Sequence, residues 1–185
     1  MISREDAYTE LKNYIKNEKM LIHSLCSEAV LRALARHLGR NEESWGLAGL
    51  LHDIDVEITN ADPHSHGLVS VEILRKMGIE DEIVDAVFMH NETASGKKRN
   101  TEFQHALSSG ETITGLIYAT ALVYPDKKIN SVQYKSVKKR MTEKAFAASV
   151  NRETIMECEK IWISLDDFIR ISVDAMREIG SEIGL

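Results

Sequence analysis

Leu47-Ala-Gly-Leu-Leu-His-Asp-Ile-Asp55 carries a histidine and two carboxylates out of a strongly apolar half-helix. The apolar run delivers His52 and Asp53 to the inner edge of a core, where an unpaired carboxylate is costly. A cation would satisfy both side chains. Neighbouring helical positions differ by about 100°, so the two can approach one ion together with little backbone strain.

Working outward, apolar residues recur at spacings of three and four, Pro occurs only twice, and no run alternates as a strand would. The reading is all-α, a compact multi-helix bundle. The pattern predicts helices over 4–20 after Ser3, over 21–38 to a stop at Gly39, and from 42 to the His52-Asp53 pair after Asn41. A fourth opens at Asp62-Pro63 and stops at Gly78, and a fifth covers 81–90. Residues 91–101 read as an exposed loop, followed by a long helix over 103–123. Beyond Pro125 the pattern predicts shorter helices within 132–140, 143–148 and 152–161, then a last one from Ser164 to Gly184. No repeat, low-complexity tract or linker divides the 185 residues, so one domain is expected over 1–185, its metal-site core at about 20–125 and C-terminal helices at 131–185 packing on it.

Composition narrows the partners. A net charge of −6 argues against a nucleic-acid polymer or an anionic membrane as a broad electrostatic partner. No stretch reaches the roughly 20 apolar residues of a membrane helix, and the polar start MISREDAYTE does not resemble a secretion signal, so a cytoplasmic protein is expected. Cys26 and Cys158 each lie inside an amphipathic segment and read as reduced core residues.

The remaining polar residues on apolar faces point the same way as the quoted stretch. On the second helix His23 falls within the arc of Ile22, Leu25, Cys26, Ala29, Val30, Ala33 and Leu34. His90 shares a face with Ile83, Ala86 and Val87. His66 lies in the first turn of the fourth helix, where the dipole favours neutral imidazole, and His64 competes with it in that turn. Glu111 stands in an otherwise uncharged helical run beside Gly115.

These residues resemble the HD-domain superfamily of metal-dependent phosphohydrolases, whose pattern is an early His, a His-Asp pair, two further His in some members, and a late Asp. Here it reads as His23, LLHDID with His52 and Asp53, HGLVSVEIL with His66, AVFMHNE with His90, and ALSSGETITGL with Glu111 in place of Asp. The likeness is to the small HDIG-type hydrolases and extends to FAASVNRE and LDDFIRISVDAMREIG. Glu111 reaches about 1.5 Å further than Asp would. His37, His64 and His105 match no ligand position and are expected in loops or on the surface.

The resemblance implies that His23, His52, Asp53 and Glu111 hold one ion and that Asp53 bridges to a second held by His66 and His90. Such a mixed N/O set suits Mn, Fe, Co, Ni or Zn. The implied reaction is hydrolysis of a phosphomonoester or phosphodiester in a small phosphorylated metabolite or nucleotide, with Asp53 at the metal and Asp55, or less so Glu57, orienting the water. Lys97, Lys98, Arg99, Lys127, Lys128, Lys138, Lys139 and Arg140 are the cations a phosphate could meet, with Arg140 and Lys139 preferred. Two rival readings remain: a catalytically silent metal- or nucleotide-binding module, to which Glu111 gives weight, and a di-iron oxygenase of the same superfamily.

Overall fold

The computed structural model describes residues 2–185, and among these it has ten α-helices, two 3₁₀ segments and no strand. Helix α1 (Arg4–Tyr14) is capped by Ser3, whose side chain accepts from the Asp6 amide. It ends well before Met20, because Ile15 is extended and the amides of Lys16 and Asn17 donate instead to Glu57 Oε1, at 2.9 and 2.7 Å. Asn17 then caps α2 (Glu18–Leu38), which ends at Gly39 in the left-handed region, φ 67°. Asn41 caps α3 (Glu42–Leu51).

The next helix departs most from expectation. Asp62-Pro63 starts a series of turns, and α4 (Leu68–Lys76) begins only after Gly67, whose φ of 95° admits no other residue without strain. The amides of Gly67 and Ser70 are capped from a distance by Asp55 Oδ2, at 2.8 and 2.9 Å. Helix α5 (Asp81–His90) leads into α6 (Glu92–Ser95), a single turn inside the segment expected to be loop. A capping box of Thr101 and Gln104 starts α7 (Glu102–Leu122).

After a 3₁₀ turn at Ile129–Ser131 come α8 (Tyr134–Thr142) and α9 (Arg152–Ile155), the latter tightening into 3₁₀ over Met156–Ile161. The helix expected over 143–148 does not form. Those residues turn, and the guanidinium of Arg152 collects the carbonyls of Phe146, Ala147 and Val150 that a helix would have used itself. Helix α10 (Leu165–Glu178) ends before Gly184, since Gly180 lies against Ile129 and Leu185 folds back to the Gly180 carbonyl at 2.9 Å.

Helix α2 is the central element. It packs on α3, α7 and α10, while α5 closes against α3, α4 and α7. The amphipathic α10 buries Phe168, Ile169, Val173 and Met176, joining the C-terminal helices to one continuous core. Trp45 of α3 stacks on Phe103 of α7 with ring centroids 4.9 Å apart. The closest approach is between α2 and α3, where Gly49 faces the backbone of Ser27 and Glu28.

Candidate metal centre

Four elements deliver one cluster. His23 comes from the second turn of α2, His52 and Asp53 from the end of α3, His66 from the turns before α4, and His90 from the last residue of α5. Asp53 lies at the centre and uses its two oxygens differently. Oδ2 is 3.6 Å from His23 Nε2 and 3.4 Å from His52 Nε2, while Oδ1 is 3.1 Å from His66 Nε2 and 3.6 Å from His90 Nε2. The cluster is thus two triads sharing one carboxylate, His23–His52–Asp53 and Asp53–His66–His90.

The outer nitrogens fix what the inner ones can do. His52 Nδ1 faces the Gly49 carbonyl at 2.8 Å, and His90 Nδ1 faces the Val87 carbonyl at 2.5 Å. His66 Nδ1 is 2.7 Å from Asp55 Oδ1. His23 Nδ1 is 3.0 Å from Thr114 Oγ1, a hydroxyl that already donates to the Glu111 carbonyl at 2.6 Å. Each partner accepts, so each Nδ1 carries a hydrogen, and in its neutral form each imidazole turns an Nε2 lone pair inward.

Those lone pairs meet at 3.1 Å between His23 and His52 and at 3.0 Å between His66 and His90. Two bare nitrogens at that distance repel, and beside a carboxylate only positive charge relieves them. Two nitrogens bound to one transition ion at about 2.1 Å and at right angles would lie about 3.0 Å apart. The donor set therefore fits a divalent transition metal in each triad.

Without an ion, protons supply that positive charge unevenly across the cluster. Burial would raise the Asp53 carboxyl, but His52, His66 and His90 outweigh it and hold the group well below the usual range. Burial disfavours charge on His66, yet Asp53 and Asp55 overcome it and raise its pKa to about 10. At His23 burial, aided by His52, prevails and lowers the pKa to about 4. Protons and metal compete for the same lone pairs.

Glu111 reaches the cluster at its His23 end, with Oε2 3.7 Å from His23 Nε2 and Oε1 accepting from the Thr112 hydroxyl. Burial pushes its carboxyl upward against the pull of His52. It stands outside both tight triads.

Several expected roles change. Asp55 is fully buried behind His66, with Oδ1 on the imidazole and Oδ2 on two backbone amides. Its contacts orient the His66 imidazole and cap a helix. Asp55→Asn will therefore weaken metal binding at the His66–His90 triad by about 10- to 100-fold, measured by titration with a chelator, while retaining the other triad's affinity. Glu57 is likewise occupied, by the Lys16 and Asn17 amides.

His64 lies exposed in the turns, leaving His66 as the residue that meets the cluster. His105 is buried, not a surface histidine, and lies 2.6 Å from Glu157. Arg99, expected in an exposed loop, is buried too: it binds Glu157 and donates to the carbonyls of Met89 and His90, holding the end of α5. Arg140 pairs with Glu143 and lies over Phe146, and Lys139 is exposed beside the same carboxylate. No hydrogen bond or ion pair joins either to the cluster.

Lys19 shares a pocket with His23 and makes no ion pair among the described residues. Its position one turn before His23 on α2 was available in the sequence. So was Tyr118, one turn after Thr114.

An all-helical bundle that converges four imidazoles on one aspartate has the donor set of a metal site of the His-Asp type. The HD-domain family model matches residues 20–133, well over half the chain, and the protein belongs to that family, which implies activity of the metal-dependent phosphohydrolase type. Among curated proteins it is similar to Ribonuclease Y of Fusobacterium nucleatum, 31% identical over 74 residues, which is 40% of this chain and 15% of that protein. Ribonuclease Y of Geobacter metallireducens is 30% identical over 93 residues, 50% of this chain and 17% of the relative. Ribonuclease Y of Sulfurovum sp. is 21% identical over 169 residues, 90% of this chain and 33% of the relative. The chain thus spans a third or less of the length of these relatives. No solved structure matches it. No helix of the described residues is long and apolar enough to cross a membrane.

Proposed function

We propose that the protein is a hydrolase of phosphoesters in a small phosphorylated molecule, with its activity centred on Asp53. The observation that carries this reading is the division of Asp53, Oδ2 toward His23 and His52 and Oδ1 toward His66 and His90, which suits a pair of ions bridged by one carboxylate. When bound, such ions lower the pKa of water toward neutrality and neutralise charge on a phosphoryl group.

The chain's own groups set the rest. Thr114, Gly49, Asp55 and the Val87 carbonyl hold the four imidazoles in the tautomer that presents Nε2. Glu111, whose carboxyl is pushed upward by burial, is placed to hold a proton at the His23 end. Lys19, in the lining of the neighbouring pocket, is the cation placed to attract a phosphate ester toward the cluster. The net charge of −6 favours a small anion over an RNA polymer, although the relatives are named ribonucleases.

The test is hydrolysis by protein reloaded with Mn, Fe, Co, Ni or Zn, offered phosphomonoesters, phosphodiesters and a short single-stranded RNA. Release of inorganic phosphate or of an alcohol from a small ester is the expected result. Cleavage of RNA alone would replace the small substrate with a polymer, and oxygen uptake by the iron form without hydrolysis would replace the reaction class. Lys19→Ala is expected to raise KM about tenfold, whereas Arg140→Ala leaves it unchanged because Glu143 already holds that charge.

A further inference from the structure

The pocket beside the metal centre has a chemistry of its own. It measures about 220 Å³ and is lined by Ile22, Cys26, Tyr118, Ala119 and Leu122, with His23 as the wall shared with the cluster and Lys19 as its charged residue. Its two sides are α2 and α7, in which the backbone amides and carbonyls are spent on helical hydrogen bonds. Thr114, also in the lining, has its hydroxyl engaged on both sides, accepting from His23 and donating to the Glu111 carbonyl. Burial pushes the Cys26 thiol up to about 12, so it is a neutral apolar surface, not a nucleophile. Tyr118 and Lys19 alone are left to meet a polar substituent.

A sugar or a nucleobase placed there would lose its hydrogen bonds to water and recover few of them, at a cost that grows with each orphaned group. An alkyl or aryl group loses nothing. Because His23 belongs to both spaces, this pocket is the room open to the ester substituent of a phosphoryl group held at the cluster, with Lys19 in its lining.

We infer that the pocket between α2 and α7 selects a phosphate ester whose alcohol portion is apolar, an alkyl or aryl group, over sugar phosphates and nucleotides. The inference rests on the phosphohydrolase reading for its phosphoryl end and on the pocket lining for its apolar end.

The experiment separates the two ends by using phosphonates, which carry no ester bond to hydrolyse. Binding of hexylphosphonate, methylphosphonate and ribose 5-phosphate to the metal-loaded full chain is measured by calorimetry. Each buried methylene contributes about fourfold in affinity, so hexylphosphonate should bind at least tenfold more tightly than the other two. Ala119→Phe, which fills the pocket away from the metal ligands, should erase that preference. Leu122→Asn, at an exposed position that cannot disturb the core, should reduce it severalfold.

Equal affinities, tighter binding of ribose 5-phosphate, or no binding of any of the three would overturn the inference. A preference for hexylphosphonate that both variants remove, in a protein that hydrolyses no ester, would uphold the pocket and discard the phosphohydrolase reading instead.

Discussion

Asp53→Ala will empty both metal positions at once. Among the described residues its carboxylate is the only acidic group within reach of all four imidazoles, with Oδ2 and Oδ1 facing opposite triads. Removing it leaves four convergent lone pairs without the carboxylate that joins the two triads, while the histidines remain held by their outer hydrogen bonds. The wild-type protein, purified without chelator, should carry one or two transition ions per chain and the variant none by elemental analysis. Phosphoester hydrolysis should fall by on the order of a thousandfold, the loss of several kcal/mol of charge stabilisation. The fold should persist, because the apolar groups around the site are untouched. A variant that keeps half the metal would show that one triad binds without the shared carboxylate and would sink the bridged arrangement.

Gly49→Ala is the substitution expected to cost most in stability among conservative single changes near the site. A Cβ there would lie 2.6 Å from the Ser27 carbonyl oxygen and 2.9 Å from the Glu28 amide nitrogen, which are backbone atoms of α2 and cannot rotate away. In a free helix Ala is favoured over Gly by about 1 kcal/mol, so propensity alone predicts stabilisation. Steric overlap at the helix crossing outweighs it, and we expect a net loss of about 2 kcal/mol or more, read from the urea midpoint. The same step should weaken metal binding, because the Gly49 carbonyl orients His52 and α2 carries His23. A stability equal to wild type would mean that α2 and α3 separate without penalty and that Gly49 serves only its carbonyl.

How much of this was written in local sequence differs from residue to residue. The helices with their own caps were legible: Ser3, Asn41 and Ser164 mark starts, Gly39 marks a stop, and the structure uses each of them. Helix α4 was misplaced because its cap is remote. Asp62-Pro63 carries the local signal, but Asp55 supplies the contacts that start the helix. The same carboxylate was read as a catalytic group because sequence shows an acid two residues after Asp53 and not what lies in front of it. His105 and Arg99 were assigned to the surface for a similar reason, their common partner Glu157 being more than fifty residues further along the chain.

The inward histidines and the His-Asp pair were determined by sequence itself, since burial of an ionisable group follows from the apolar residues three and four positions away, a property of one helix. Which nitrogen His23 and His66 present, how Asp53 is divided between two triads, and the apolar wall beside His23 were decided only by tertiary structure, whereas His52 and His90 are oriented by carbonyls three residues back in their own helices. The former depend on groups from separate segments meeting, and hydrogen bonding at about 3 Å between segments is set by how helices cross, not by how one helix is spaced.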